Sequence, residues 1–274
     1  MKYILLGVIQ GLTEFLPVSS SGHLVLAQKL LGLPVNLAFD VIVHIATALA
    51  VIIYFWSDIL EIIKWFFVGF YKIITRNMSF RETYNRIAFF KMSILLLAAT
   101  FFTAVIGFAF KDFFESLFSS TLAVGCFLLL TAALILLAEW IGTGTKGMDR
   151  MGLKDAIIIG LAQGAAIAPG LSRSGTTISA SLMCGLNRKL AARFSFLLSV
   201  PAILGAGLLQ APDIMAASSS QAGVWALVFG GIAAFVSGYL AIKLFMTIIQ
   251  RTSIRVFAYY CVIVGSIVVL SHFR

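Results

Sequence analysis

Polar side chains that can act on a phosphate group gather in two short stretches of an otherwise apolar sequence. The first stretch holds Glu14, Ser19, Ser20, Ser21 and His23, and the second holds Ser172, Arg173, Ser174, Thr176 and Thr177. An arginine grips phosphate oxygens through two parallel hydrogen bonds, and hydroxyl groups add further donors. A glutamate can bind a divalent cation or act as an acid or base, and a histidine can attack phosphorus or carry a proton. The two stretches therefore predict chemistry on an anion.

The same residues also admit a structural interpretation. Glu14 and Arg173 would then form a buried ion pair between two segments, while the serines cap helix starts. An ionisable side chain at membrane depth costs at least about 2.5–3.5 kcal/mol, so both residues need a partner or a function. The structural interpretation leaves His23 and the hydroxyl groups without a purpose, which favours the functional one. For Asp40 and His44 we expect structural roles inside the bundle.

The composition excludes a soluble fold. Of the 274 residues, 61% are hydrophobic and 11% are charged, with a mean hydropathy of +1.04, whereas soluble domains have roughly 25% charged residues. The formal net charge of +9 falls in short loops, where basic residues orient a membrane protein and meet anionic lipids, so nucleic-acid binding is not expected. Six segments are long enough to span a membrane as helices: 37–56, 87–110, 121–140, 190–210, 223–247 and 255–272.

Two further apolar stretches, 3–33 and 154–187, are interrupted by the polar residues described above. Pro17 and Gly22 break the first stretch, and Pro169 and Gly170 break the second, so neither can be one straight helix. Each half is too short to span, which predicts two re-entrant helical hairpins whose broken backbone is buried in protein or lines a wet cavity. Segment 59–74 carries charged residues among apolar ones and predicts an amphipathic helix at the membrane interface.

The two interrupted stretches match each other at an offset of 153 residues. Nine of the 27 positions in 7–33 are identical to their counterparts in 160–186, beginning with Gly7 and Gly160. This indicates an internal duplication within one integral membrane domain, with repeat A at about 1–150 and repeat B at about 151–274. Each repeat would hold one hairpin and three spans, and an odd number of crossings inverts the second copy.

The loop charges predict the orientation of this inverted repeat. Loops 57–86, 141–154 and 250–255 are rich in Lys and Arg, whereas 211–222 has none and 111–120 has only Lys111. Because positively charged loops stay inside, the second hairpin should enter from the cytoplasm and the first from outside. Both chain termini would then lie outside.

The residues from Gln10 to His23, together with those from Pro169 to Thr177, closely resemble the two signature motifs of the undecaprenyl pyrophosphate phosphatases, the bacitracin-resistance family of bacterial inner membranes. The resemblance implies hydrolysis of undecaprenyl diphosphate to the monophosphate, which recycles the lipid carrier for peptidoglycan and other envelope polymers. It also implies a divalent cation, Mg²⁺ or Ca²⁺, and an active site that faces the outer, periplasmic side.

Carried across residue by residue, the resemblance implies three sets of site residues. The catalytic set is Glu14, Ser20, His23 and Arg173; the phosphate-binding set is Ser19, Ser21, Ser172, Arg173, Ser174 and Thr177; the cation would bind Glu14 with Gln10. Some members have Glu where this chain has Gln10. Because Gln10 is uncharged, we expect Glu14 to be the main ligand of the cation. Ser20, His23 and a cation-bound water all remain open as the nucleophile, and a Ser20/His23 pair is slightly favoured.

A lipid flippase or transporter for a polyprenyl phosphate is the main alternative, because inverted repeats with broken helices are common in secondary transporters. The motifs favour the enzyme, since a transporter of an anionic lipid needs Arg and helix ends but not a nearby Ser, His and Glu. A purely structural scaffold would show small-residue packing without polar clusters. The sequence leaves the oligomeric state open, a homodimer included.

Overall fold

The computed structural model describes residues 1–33, 36–118, 120–142, 144–210 and 221–273. Apart from one isolated β-bridge between Lys146 and Leu186, the regular secondary structure in these ranges is helical, which confirms the predicted all-α class. The helices are α1 Lys2–Phe15, α2 Ser20–Leu30, α3 Leu37–Tyr54, α4 Trp56–Ile74, α5 Phe80–Arg86, α6 Ala88–Ala109, α7 Lys111–Leu117, α8 Thr121–Ile141, α9 Leu153–Ala165, α10 Arg173–Met183, α11 Arg188–Leu209, α12 Gln221–Arg251 and α13 Arg255–His272.

Five of these helices, namely α6, α8, α11, α12 and α13, are long and apolar enough to cross a membrane. They coincide with five of the six predicted spans, differing by at most a few residues at each end. The sixth predicted span, 37–56, ends early at Tyr54, where the chain bends by 79° into α4, and the bent pair counts together as a sixth candidate span. The chain is therefore a multi-pass membrane protein.

Helix α4 confirms a helix over the predicted amphipathic segment 59–74, beginning three residues earlier at Trp56. Glu61 accepts a hydrogen bond from the indole nitrogen of Trp65 at 2.8 Å, and Lys64 and Lys72 each lie 5.6 Å from the centre of that ring. The sharp bend against α3 suits a helix that lies along the membrane surface, but its place at the interface stays a prediction. Part of loop 111–120 is also helical, as α7.

Both predicted breaks are present, and each is followed by a helix that a serine caps. Helix α1 ends at Phe15 and α2 begins at Ser20; helix α9 ends at Ala165 and α10 begins at Arg173. The hydroxyl group of Ser19 accepts from the Gly22 backbone N–H at 3.3 Å, and that of Ser172 accepts from the Gly175 N–H at 3.0 Å. Equivalent serines of the two matched stretches thus start both helices.

Matched glycines let the first helix of each hairpin approach a helix from the other half of the chain. A Cβ atom at Gly7 would collide with the carbonyl of Gly230 in α12, and one at Gly160 would collide with the backbone of Ala99 in α6. Gly11 and Gly164, four residues further on, make similarly close approaches to α12 and α6. This is the small-xxx-small pattern of close helix packing in membranes.

The packing is therefore crosswise, with α1 against α12 and α9 against α6. This agrees with a duplication, while the inverted orientation of the two copies and their boundaries stay predictions. The predicted outer loop 211–222 falls mostly on residues 211–220, which lie outside the described residues.

Replacing Gly160 by alanine should destabilise the protein because the new methyl group would overlap the Ala99 backbone. We expect the free energy of unfolding to fall by about 1–3 kcal/mol, as for other overpacked sites, and the thermal unfolding midpoint in detergent to fall with it. Gly205→Ala in α11 is the matched control, since a Cβ atom there has no neighbour within 4 Å among the described residues. Equal midpoints for the two variants would contradict the close packing of α9 on α6.

Candidate active site

The carboxylate of Glu14 lies at the centre of the site. It stands near the end of α1, and its side chain is only 2% exposed. Oε1 lies 2.6 Å from Nη2 of Arg173, while Oε2 accepts hydrogen bonds from the hydroxyl group of Ser20 at 2.6 Å and from Nε2 of Gln10 at 2.8 Å. Three of the four predicted catalytic residues are thus brought together, and Gln10 and Glu14 share one face of α1 as their spacing predicts.

Ser20 and Arg173 occupy equivalent positions of the two matched stretches, 153 residues apart, and each is the first residue of its helix. Each holds one oxygen of the same carboxylate. The N-termini of α2 and α10 therefore converge on Glu14, and their unpaired N–H groups and positive dipole ends favour negative charge at this point.

The backbone of both breaks is fixed by specific contacts. Ser19 has a φ of +69°, a left-handed conformation that costs a serine about 1–3 kcal/mol and often marks a functional site. Gly170 has a φ of +92° and passes so close to the Val124 carbonyl that a Cβ atom would not fit. The hydroxyl group of Ser174 donates to the carbonyl of Leu16 at 3.1 Å, which joins the second break to the first.

His23, the fourth predicted catalytic residue, has other partners. Its Nδ1 lies 2.7 Å from the carbonyl oxygen of Ser19, and its Nε2 lies 2.6 Å from the hydroxyl group of Tyr260 in α13. The slightly favoured Ser20/His23 pair is not joined by a hydrogen bond in the described part of the chain, because Ser20 donates to Glu14 instead. Both side chains nevertheless lie three residues apart on α2 and so share a helix face.

The predicted phosphate-binding hydroxyl groups divide into two groups. Ser19 pairs with Ser21 at 3.4 Å and Ser172 pairs with Ser174 at 3.2 Å, all at the first turns of α2 and α10. Thr177 is fully buried, and its hydroxyl group donates to the carbonyl of Arg173 and contacts Ser195. A small cavity beside the carboxylate is lined by Glu14, Phe15, Arg173, Ser174, Ser195, Phe196 and Ser199. Thr177 is not among these lining residues, but it contacts Ser195, which is.

Several residues of the site are absent from the set predicted from sequence. His44 was expected to be structural, yet its Nε2 lies 3.7 Å from Oε2 of Glu14. Ser195 and Ser199 line the cavity from α11, and their spacing of four residues in an apolar span is the sequence feature that marks them. Asp40 accepts a hydrogen bond from Gln28 at 2.8 Å, and its structural role stays a prediction.

The donor atoms fit a divalent cation only if a substrate shares it. No three His, Cys, Asp or Glu side chains cluster as a metal site among the described residues. Glu14 offers a carboxylate, and Oε1 of Gln10 is buried without a hydrogen-bond partner in the described structure. Mg²⁺ is commonly held by one or two carboxylates together with substrate phosphates rather than by an all-protein cage. The residues present are compatible with that arrangement.

The helices and the site define a multi-pass membrane protein with a buried polar centre formed by two broken helical segments. The chain belongs to the bacitracin-resistance family: the family's sequence model, described as "Bacitracin resistance protein BacA", matches residues 3–267. Relatives named undecaprenyl-diphosphatase include one from Methanosphaera stadtmanae, 44% identical over 98% of this chain and 97% of its own length. Another, from Halothermothrix orenii, is 44% identical over 98% of this chain and 96% of its own length.

The Glu14–Arg173 pair should contribute to the stability of the fold as well as to the chemistry of the site. Arg173→Met leaves the carboxylate without its cation, and we expect the free energy of unfolding to fall by up to about 3 kcal/mol, the lower range for broken buried pairs because the Arg173 side chain is 22% exposed. Adding Glu14→Gln should restore part of the loss, giving a coupling energy above about 1 kcal/mol in a double-mutant cycle.

The matched control for this cycle is the exposed pair Arg86 and Glu82, whose nearest charged atoms are 3.9 Å apart. Arg86→Met should change stability by less than about 0.5 kcal/mol. A coupling energy for Glu14 and Arg173 no larger than that of the exposed pair would show that the buried contact has no structural role. Denaturant unfolding in detergent measures all of these variants.

Proposed function

We propose that this protein hydrolyses undecaprenyl diphosphate to undecaprenyl phosphate and inorganic phosphate, as the names of its relatives state for them. The reaction would return the lipid carrier to peptidoglycan and envelope polymer synthesis and confer bacitracin resistance. Membership of the family over nearly the whole chain supports the activity. The single observation that carries the mechanism is the 2.6 Å hydrogen bond from Ser20 to Glu14, beside the cation of Arg173.

In the first step the Ser20 oxygen attacks the terminal phosphorus. A bond forms between this oxygen and phosphorus, the bond to the bridging oxygen breaks, and undecaprenyl phosphate leaves. The proton of Ser20 passes to Glu14, with which it is already hydrogen-bonded. Arg173 turns from Glu14 to the phosphoryl oxygens, and the N-termini of α2 and α10 stabilise the negative charge that spreads over them.

In the second step water releases the phosphate from Ser20. Water attacks phosphorus, the bond to the Ser20 oxygen breaks, and Glu14 returns its proton to that oxygen. The proton of the water passes to Nε2 of His23 and from there to the product phosphate or to solvent. Each group then regains its starting protonation state, so the cycle balances.

We include a divalent cation, Mg²⁺ or Ca²⁺, in this proposal. Glu14 and Oε1 of Gln10 would hold it together with the diphosphate, and the hydroxyl groups of Ser19, Ser21, Ser172 and Ser174 would complete the cradle for the phosphate oxygens. When bound, the cation would withdraw charge from the phosphate oxygens.

The proposed location is the bacterial cytoplasmic membrane, with the site open to the outer side, where the spent carrier is released. The loop charges support this orientation, because they predict that the first hairpin enters from the outer side. A homodimer stays a prediction. The flippase alternative gains no support from the family or from the named relatives, whereas the Ser20–Glu14 contact is a feature that transport does not need.

Release of inorganic phosphate from undecaprenyl diphosphate by the purified protein in detergent tests the function. We expect release that EDTA abolishes and that added Mg²⁺ or Ca²⁺ restores. Glu14→Gln, Ser20→Ala, His23→Ala and Arg173→Ala should each lower kcat by roughly 100-fold or more, the usual loss when one preorganised group is removed. Glu115→Gln and His272→Ala, at exposed sites, are the matched controls and should keep full activity. An inactive native protein, assayed beside an active relative, would rule out hydrolysis.

A covalent step at Ser20 has its own test. Substrate labelled with ³²P in the terminal phosphate is mixed with excess enzyme and quenched in acid within one turnover. We expect label on Ser20 in the native protein and a larger amount in His23→Ala, in which release from Ser20 is slower than its formation. Native protein that hydrolyses the lipid but carries no label after the acid quench would instead identify water or His23 as the nucleophile. A quench in base distinguishes these two, because phosphohistidine is lost in acid but survives in base.

A further inference from the structure

The ring of His23 is held in one tautomer by its surroundings. Its Nδ1 lies 2.7 Å from the carbonyl oxygen of Ser19, and a carbonyl oxygen can only accept a hydrogen bond. Nδ1 therefore carries the proton, and Nε2 of the neutral ring has a free lone pair. Nε2 is consequently the atom of His23 that can accept a proton during the reaction.

Tyr260 occupies this lone pair. Its hydroxyl group lies 2.6 Å from Nε2 of His23 and must donate to it, and the two rings are stacked with centroids 5.6 Å apart and planes inclined by 14°. The two residues are 237 positions apart in the chain, so the contact joins the beginning of α2 to α13. The next residue, Cys261, points its thiol at the carbonyl of Pro17 at 3.6 Å, a second contact between α13 and the same break.

Packing alone does not explain Tyr260. The residue remains 42% exposed, so it does not fill the core, and phenylalanine would bury its apolar ring equally well. The phenol adds one feature, a donor at the only ring nitrogen of His23 that can take up a proton. The fixed distance and the stacked ring planes also prevent the imidazole from rotating away from the break.

We propose that Tyr260 is a positioning residue for His23. Its hydroxyl group keeps the imidazole in the tautomer protonated at Nδ1 and holds Nε2 in place beside the break. When Nε2 takes up the proton of the water, the hydroxyl group rotates, and its oxygen then accepts a hydrogen bond from the new Nε2–H. The catalytic consequence rests on the role of His23 in the proposed function, whereas the positioning itself does not.

NMR measures the tautomer and the hydrogen bonding of the His23 ring directly. The chain has three histidines, so ¹⁵N-histidine labelling of the protein in detergent gives few ring signals, and His23→Gln assigns those of His23. The native protein should show His23 protonated at Nδ1, with an Nε2 resonance displaced by an accepted hydrogen bond. Tyr260→Phe keeps the stacked ring and removes only the donor, and it should move the Nε2 resonance. Tyr259→Phe, an adjacent tyrosine that is 57% exposed, should leave it unchanged.

The catalytic consequence is measured on the same variants. Tyr260→Phe should lower kcat for phosphate release roughly tenfold, with KM and the thermal unfolding midpoint unchanged, because only the orientation of a proton acceptor is lost. Tyr259→Phe should match the native protein. A His23 protonated at Nε2 in the native protein, an unmoved Nε2 resonance in Tyr260→Phe, or an unchanged kcat in that variant would each overturn the proposal.

The failure of this inference is distinguishable from failure of the proposed function. If native protein hydrolyses the lipid, His23→Ala does not, and Tyr260→Phe is fully active, only the inference is wrong. If native protein releases no phosphate, the proposed function is wrong, and the NMR comparison still reports whether Tyr260 positions His23.

Discussion

A carboxylate buried inside an apolar helical bundle is the constraint on which the other features of the site depend. The Glu14 side chain is only 2% exposed, and its charge would be costly without hydrogen-bond donors around it. Donors reach it from α1, α2 and α10, and both oxygens are engaged. To supply Ser20 and Arg173 at this distance, the helices must begin beside the carboxylate, so both chain segments have to break at the same place. The broken backbone and the capped helix ends are thus consequences of this one buried charge.

Close helix packing determines where the two breaks lie. Gly7 and Gly11 bring α1 against α12, and Gly160 and Gly164 bring α9 against α6. In each case a hairpin packs on a helix from the other half of the sequence, so neither half can form its part of the site alone. The contact of Ser174 with the carbonyl of Leu16 then connects the two breaks directly. These glycines therefore contribute to the placement of the two breaks relative to each other.

Local pattern was sufficient to predict the breaks, the long spans and the shared face of Gln10 and Glu14, because proline, glycine and helical periodicity act over a few residues. The contacts of His44 with Glu14 and of Tyr260 with His23 were not predictable in the same way. Periodicity indicates which face of a helix a residue occupies but not which helix lies opposite, and these pairs are far apart in the sequence. The bend after Tyr54 could not be predicted either, because no proline or glycine lies there. Phe55 and Trp56 occupy the position of the bend.

The two matched stretches contribute to one site rather than two, and the positions at which they differ show why. The counterpart of Glu14 is Ile167, that of His23 is Thr176, and that of Ser20 is Arg173. One stretch thus contributes the carboxylate, the hydroxyl and the imidazole, and the other contributes the cation.

Before substrate binds, the charges of Glu14 and Arg173 cancel, so the buried centre is close to neutral. A diphosphate brings several negative charges to a place where, among the described residues, Arg173 is the only Lys or Arg side chain paired with Glu14, and the helix N-termini supply only partial charge. The excess negative charge is therefore largest when substrate is bound, which is why a divalent cation is expected to enter with the diphosphate rather than to reside in the protein beforehand.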